Sequence, residues 1–455
     1  MKNFKSINPF TEEVIGNYDF ISNEHLNIAL GNAAEHFGFW RKTTFADRAK
    51  CVLKLSELLK DNADELALIA STEMGKLKTE AKAEVLKSVR LCEYYATRSA
   101  DILQSKLSQS ETGAMVEIKY EPLGVVLGIF PWNFPYWQVL RSAIPIIMSG
   151  NCVLIKPAPN VPQSSLALQH LLNQCGFGNG VIQTIFASET QIESLINDSK
   201  IAATTLTGSE KAGSAVASLS GKNIKKSVLE LGGSDPFIVM SDADLDFAVS
   251  NAMMARFQNN GQSCVSAKRF IVHQNVADEF LNGLIERIEK LTVGDPIDEN
   301  VAIGPLSRKD LQELLQNQVN ESVTAGATIL YQKLDLPSKG FFYPPTILGN
   351  IPKTARAFTE ELFGPVISFY TFTETDEAIA LANATSYGLG ASIWSKDIMQ
   401  AKQIANNIES GMIYINQIVK SDARFPFGGI KKSGFGRELG EFGLREFCNV
   451  KTIWV

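Results

Sequence analysis

The sequence predicts an α/β protein of two parallel-sheet units with a small projecting β arm, and three observations predict it. From about residue 123, short apolar runs alternate with stretches of helical composition. The alternation restarts after Gly233. Two further segments, 116–120 and 449–455, are β-prone and belong to neither series.

In the first unit, residues 125–130, 152–156, 181–186, 202–206 and 227–231 read as buried parallel strands. Between them, 164–175, 192–198 and 209–219 read as helices. Strand, crossover helix and strand, repeated, is the pattern of a doubly wound sheet. Ahead of it, 46–69 and 76–103 read as long amphipathic helices that cover the sheet. In the second unit, helices at 245–257, 277–291, 309–325, 377–383 and 399–407 alternate with strands at 269–273, 367–372, 390–394 and 411–415. The units join near 231–235. Segment 116–120 alternates apolar and polar residues, which suits a projecting sheet.

A chain of 455 residues is too long for one ordinary domain. With 45% hydrophobic and 20% charged residues, it reads as a soluble globular protein with ample core. A formal net charge of -6 and the lack of any Lys/Arg-rich run give no support for a nucleic-acid partner. The pairs Lys225-Lys226 and Lys431-Lys432 read as solvated surface. The start lacks the apolar core of a signal peptide. The greasiest stretch, 140–155, is interrupted by Arg141, Pro145, Gly150 and Asn151 and cannot cross a bilayer without burying a charge. No membrane association and a cytoplasmic location are expected. Six scattered cysteines without a CxxC pair argue for reduced thiols. The four histidines show no ligand spacing, so no metal is expected.

Chemistry enters with Cys264 in Gly261-Gln262-Ser263-Cys264, downstream of Glu230 in Glu230-Leu231-Gly232-Gly233. A thiol nucleophile and a carboxylate base are the minimum needed to make a thioester and hydrolyse it. Small residues before Cys264 are expected to keep the approach to the sulfur open and flexible. Together with Pro131-Trp132-Asn133-Phe134-Pro135, these motifs resemble the aldehyde dehydrogenase superfamily, from Asn8-Pro9 to Phe447. The resemblance implies a Rossmann-type cofactor domain (1–103 and 123–232), an α/β catalytic domain (233–432) and an oligomerisation arm (104–122 and 433–455). The arm implies a homodimer or homotetramer. By the same resemblance Cys264 is the nucleophile and Glu230 the base. Asn133 and the Cys264 N–H are donors to the oxyanion. Members that pass the acyl group to coenzyme A or phosphate generally lack this glutamate, so Glu230 points to water as acceptor and a free acid as product. The other five cysteines read as core residues.

For the cofactor, Thr207-Gly208-Ser209 with Gly213 opens a helix directly after a strand. Backbone N–H groups there and the Ser209 hydroxyl suit a pyrophosphate. Ser214-Ala215 replaces the ending a P-loop requires, which argues against ATP. The resemblance places Lys156 on the adenosine ribose and Glu361 and Phe363 on the nicotinamide riboside, with Trp132 and Leu231 beside the cofactor. NAD-preferring relatives often carry glutamate three positions after this lysine. Pro159 stands there, so both NAD and NADP remain open.

Arg141 is the substrate clue. It interrupts an apolar run that includes Trp137, and a cation there is costly unless paired. It either pairs with a structural carboxylate or awaits an acidic substrate. An arginine at this place resembles the shorter bacterial succinate-semialdehyde dehydrogenases, where it binds the distal carboxylate. Phe427 in Pro426-Phe427-Gly428-Gly429 belongs to the same expected pocket. Some such enzymes carry a second arginine six residues before the nucleophile, where this chain has Gln258. Ser421 is the candidate replacement and Arg424 the second. Glutarate semialdehyde and uncharged aldehydes are the alternative substrates. A cysteine thioesterase is the alternative chemistry, though no histidine is placed to serve it.

Overall fold

The computed structural model describes residues 3–455. Its first sheet has the spatial order Gly434–Phe435, Lys226–Glu230, Ile201–Thr207, Val125–Ile129, Cys152–Lys156, Ile182–Thr184. Every neighbouring pair is parallel except the first. Val126, Leu127, Val153 and Leu154 are fully buried, as a parallel sheet covered on both faces requires. The chain lays Val125–Ile129 first, builds outward to Ile182–Thr184, then returns to add Ile201–Thr207 on the other side. That reversal opens a crevice at the carboxyl ends of the two central strands, the usual ligand position in such sheets. Pro131 to Asn133 follow one of these ends, and Gly208 and Ser209 follow the other.

The second sheet runs Thr328–Gln332, Thr346–Gly349, Val366–Phe372, Ala267–His273, Asp235–Val239, Gly390–Trp394, Met412–Ile415. It is parallel apart from the first pair. Asp235–Val239 is absent from the strands read from sequence, yet it lies near the centre with every residue buried. A third sheet joins Lys106–Gln109, Met115–Pro122 and Cys448–Trp454, all antiparallel.

Two expectations need correction. The single helix expected over 46–69 is two, Phe45–Asp61 and Ala63–Met74. Asn62 leaves helical geometry between them, and its side chain donates back to the Leu58 carbonyl at 2.7 Å. Residues 433–447, expected in the arm, pack on the first unit instead. Gly434–Phe435 extends its sheet, Tyr95 donates to the Gly440 carbonyl at 3.1 Å, and Asn151 donates to the Phe447 carbonyl at 2.9 Å.

One helix pair positions the site. Trp137–Met148 is buried along its whole length and packs against Lys78–Ile102. Glu84 accepts from the Tyr136 and Trp137 N–H groups, both at 2.9 Å, so a carboxylate anchors the positive end of the buried helix.

Candidate active site

Cys264 follows a backbone excursion through the left-handed region at Asn259, Asn260 and Gly261. Asparagine tolerates that region better than most residues, and here tertiary hydrogen bonds hold it there. Asn259 donates to the Asn133 carbonyl at 2.8 Å, and Asn260 to the Gly75 carbonyl at 2.9 Å. A Cβ on Gly261 would meet the Gly364 backbone at 2.5 Å. Gln262 and Ser263 are buried, and Gln262 Oε1 accepts from the Ser307 N–H at 2.9 Å, so tertiary contacts hold the run before the cysteine. Beneath it, the Lys268 ammonium donates to the carbonyls of Ser263 at 2.8 Å and Cys264 at 3.0 Å. Lys268 escaped the sequence reading, since a lysine opening a strand gives no sign of pointing inward.

The Cys264 residue keeps some exposure, onto a cavity of about 300 Å³. Burial pushes its thiol up to about 12, against a smaller opposing pull from Arg141 and Lys268. Asn133 Nδ2 donates to the Gln262 carbonyl at 3.0 Å, which fixes the amide beside the cysteine and leaves its second N–H free. Glu230 ends its strand with both carboxylate oxygens buried and without hydrogen-bond partners. Burial, and secondly the nearby Glu438, hold its carboxyl well above the usual range. It does not line the cavity wall. Its carboxylate lies against Gly428, close enough to Glu438, Arg141 and Arg437 to feel their charges.

Trp137, Arg141, Ser421 and Phe427 do line that cavity together with Cys264. Arg141 is not free, however. Its guanidinium is in ion-pair contact with the buried Glu438 and lies 4.5 Å from the Phe427 ring centre. Ser421 Oγ accepts from Lys87 Nζ at 2.6 Å, and that ammonium lies 4.1 Å from the Trp137 ring centre. Arg424 turns outward and pairs with Asp422 at 2.7 Å, so it is no part of the site. Gln258 also borders the cavity.

The cofactor candidates lie in the crevice between the units. Trp132 and Phe363 meet edge to face with ring centres 5.8 Å apart, and Met74, Ala158 and Val161 complete an apolar cluster around them. Glu361 ion-pairs with Lys268 at 3.1 Å and accepts from the Gly233 N–H at 3.2 Å. The Lys156 ammonium, lowered to about 8 by burial, lies 5.5 Å from the Phe4 ring centre. The Pro159 carbonyl accepts from the Lys5 N–H at 3.0 Å. Ser209 caps the helix Glu210–Lys222, its hydroxyl accepting from the Ala212 N–H at 3.3 Å. Its oxygen therefore already has a backbone partner, and the N–H groups of the first turn are what the helix offers an anion. A Cβ on Gly213 would meet Leu231 at 2.6 Å, so that glycine allows the helix to pack against the strand end. An apolar slot, a helix N-terminus, a buried ammonium and a carboxylate fit the parts of a nicotinamide dinucleotide.

The aldehyde dehydrogenase family model matches residues 1–453. The chain is 45% identical over 451 residues to a succinate-semialdehyde dehydrogenase [NADP(+)] of Mycobacterium ulcerans, covering 98% of each. It is 44% identical over 453 residues to the Mycobacterium avium protein of the same name, covering 99% of this chain and 96% of that one. The structure of a succinic semialdehyde dehydrogenase from Streptococcus pyogenes in complex with NADP+ superposes with a TM-score of 0.97 at 35% identity, covering 99% of both chains.

Proposed function

This chain belongs to the aldehyde dehydrogenase family, and we propose that it oxidises succinate semialdehyde to succinate with NADP. The observation that carries the substrate is a single cavity holding both the Cys264 thiol and cationic side chains. The names of the relatives support the same substrate and cofactor. Pro159 places no carboxylate where a 2′-phosphate would be repelled.

In this reading Cys264 sulfur adds to the aldehyde carbon as its proton passes to solvent water in the cavity. The oxyanion takes the free N–H of Asn133 and the Cys264 N–H. Trp132, Phe363, Glu361 and Lys156 would hold the dinucleotide, Glu361 at the nicotinamide ribose and Lys156 at the adenosine ribose. Bound nicotinamide supplies the hydride acceptor. The acyl group is left on Cys264 as a thioester. Glu230 takes a proton from water, whose oxygen attacks the acyl carbon, and the acid leaves as the thiol is restored. Glu230 must swing past Gly428 or act through water, since it is not in the cavity wall.

We assign the three-stranded sheet to self-association into a dimer or tetramer. It keeps Leu107, Met115, Val450 and Trp454 exposed. A monomer in light scattering would overturn that assignment. No helix among the described residues is long and apolar enough to cross a membrane. Six free cysteines fit a reducing cytoplasm.

Product analysis tests the reaction. Incubation with NADP and succinate semialdehyde is expected to give NADPH and succinate in equal amounts. Acid formed without reduced cofactor would indicate a different chemistry.

A further inference from the structure

The cavity contains a cation that the sequence motifs leave unassigned. Glu80, Glu84 and Lys87 lie at four- and three-residue steps on Lys78–Ile102, so all three share one side of that helix and line the cavity. The carboxylates near Lys87 are already engaged. Glu84 holds Lys76 and the N-terminus of the buried helix. Asp422 holds Arg424 at 2.7 Å. Arg141 has Glu438. The Lys87 ammonium is left with a hydroxyl and an aromatic face, Ser421 at 2.6 Å and Trp137 at 4.1 Å. Both partners are neutral and both line the cavity. A desolvated ammonium without a counterion is costly, and an anion entering the cavity removes that cost.

We propose that Lys87, oriented by Ser421 and Trp137, is the principal anchor for the distal carboxylate of the substrate, with Arg141 serving chiefly as the ion-pair partner of Glu438. The inference rests on the reading of the substrate as a short ω-oxo acid. It also explains how a chain with Gln258 in place of a second arginine can hold a carboxylate. The second cation comes from the helix Lys78–Ile102, and Ser421 positions it.

Burial, with Arg141 second, lowers the ammonium to about 7. The charged groups around it are Arg141 on the buried helix, Asp422 after the strand Met412–Ile415, and Glu84 and Arg90 on its own helix. Lys87 therefore changes charge in the working pH range, which gives a test on the wild-type enzyme.

The experiment compares kcat/KM for succinate semialdehyde and butanal in the wild type and in Lys87→Met, with NADP saturating. Lys87→Met is expected to lower the ratio of the two roughly tenfold to a few hundredfold, the value of a charge-assisted bond, and to do so mainly through KM. Competitive inhibition by succinate should weaken in the same proportion, and Lys87→Arg should restore part of both. In the wild type the ratio should fall as pH rises from 6 to 8.5, and most of that fall should be lost in Lys87→Met; the part that remains belongs to Glu80, whose carboxyl burial pushes up to about 7 in the same cavity. Titration of Cys264 cancels in the ratio. An unchanged ratio in Lys87→Met, or a wild-type pH dependence that survives whole in that variant, would overturn the role of Lys87 while leaving the substrate reading intact. A wild type that uses both aldehydes equally would overturn the substrate reading itself.

Discussion

Arg141 and Glu438 form an ion pair with almost no access to solvent. Ser142 donates to the same carboxylate, and the Phe427 ring covers the guanidinium. The arginine that interrupts an apolar helix is thus balanced by a glutamate about three hundred residues away. Removing one member of a buried pair costs about 3–5 kcal/mol, because the other charge is stranded. Arg141→Ala is expected to lose about that much unfolding free energy in urea. Arg141→Met combined with Glu438→Gln should recover most of it. A single variant as stable as the wild type would show that the pair contributes nothing to the fold.

Glu230 offers a kinetic signature. A base whose carboxyl is held well above the usual range is neutral at low pH. Thioester hydrolysis should therefore slow as pH falls below that raised value, while the first turnover does not follow it. Glu230→Gln should give a burst of NADPH equal to the site concentration, then a much slower steady rate. If burst and steady rate fall together, Glu230 is not the deacylation base alone.

The same shift has a sign for stability. The folded state keeps a proton that the unfolded carboxyl releases in the ordinary range. The buried group therefore costs the fold more as pH rises towards its folded pKa. Glu230→Gln should raise Tm relative to wild type at pH 8 and leave it unchanged at pH 4. A variant less stable at pH 8 would contradict the burial argument.

For Cys264, a thiol pushed up to about 12 implies about one thiolate in ten thousand at pH 8 in the free enzyme. Alkylation of this residue by iodoacetamide should climb about tenfold per pH unit from 7 to 10, without a plateau. A plateau below pH 8 would show a preformed thiolate. Cys264→Ala should abolish NADPH formation and leave NADP affinity, followed by fluorescence, unchanged.

Cofactor choice is tested at Pro159. Pro159→Glu puts a carboxylate where the reading expects a 2′-phosphate nearby. It should lower kcat/KM for NADP roughly tenfold to a hundredfold, about 1.4–2.7 kcal/mol of transition-state binding, and spare NAD. Equal losses with both cofactors would place the 2′-phosphate elsewhere.

The strands that were legible are those whose environment the sequence repeats. Cys152–Lys156 and Gly390–Trp394 are apolar runs because almost every residue is buried. Asp235–Val239 is not legible because Asp-Pro at its start reads as a turn. The helix Asn23–Trp40 is hard to read from sequence, since Gly31 and Gly38 interrupt it and Phe39 faces solvent. Cys264, Glu230 and Asn133 stood out through short motifs. Lys87 could not, since a lysine on an amphipathic helix ordinarily marks the solvated face. Its meeting with Trp137 and Ser421 is made only by tertiary packing. Arg141 was legible as a buried cation, but its partner was not, because Glu438 reads as one more charged residue near the end of the chain.

On the proposed function, a cavity lined by Lys87 and Arg141 selects an aldehyde bearing a distal carboxylate. The most direct test is the wild-type ratio of kcat/KM for succinate semialdehyde over butanal, with NADP saturating and NADPH followed by absorbance at pH 6.5. A charge-assisted contact of about 1.5–3 kcal/mol predicts a ratio of roughly tenfold to a few hundredfold. A ratio near one would contradict the claim.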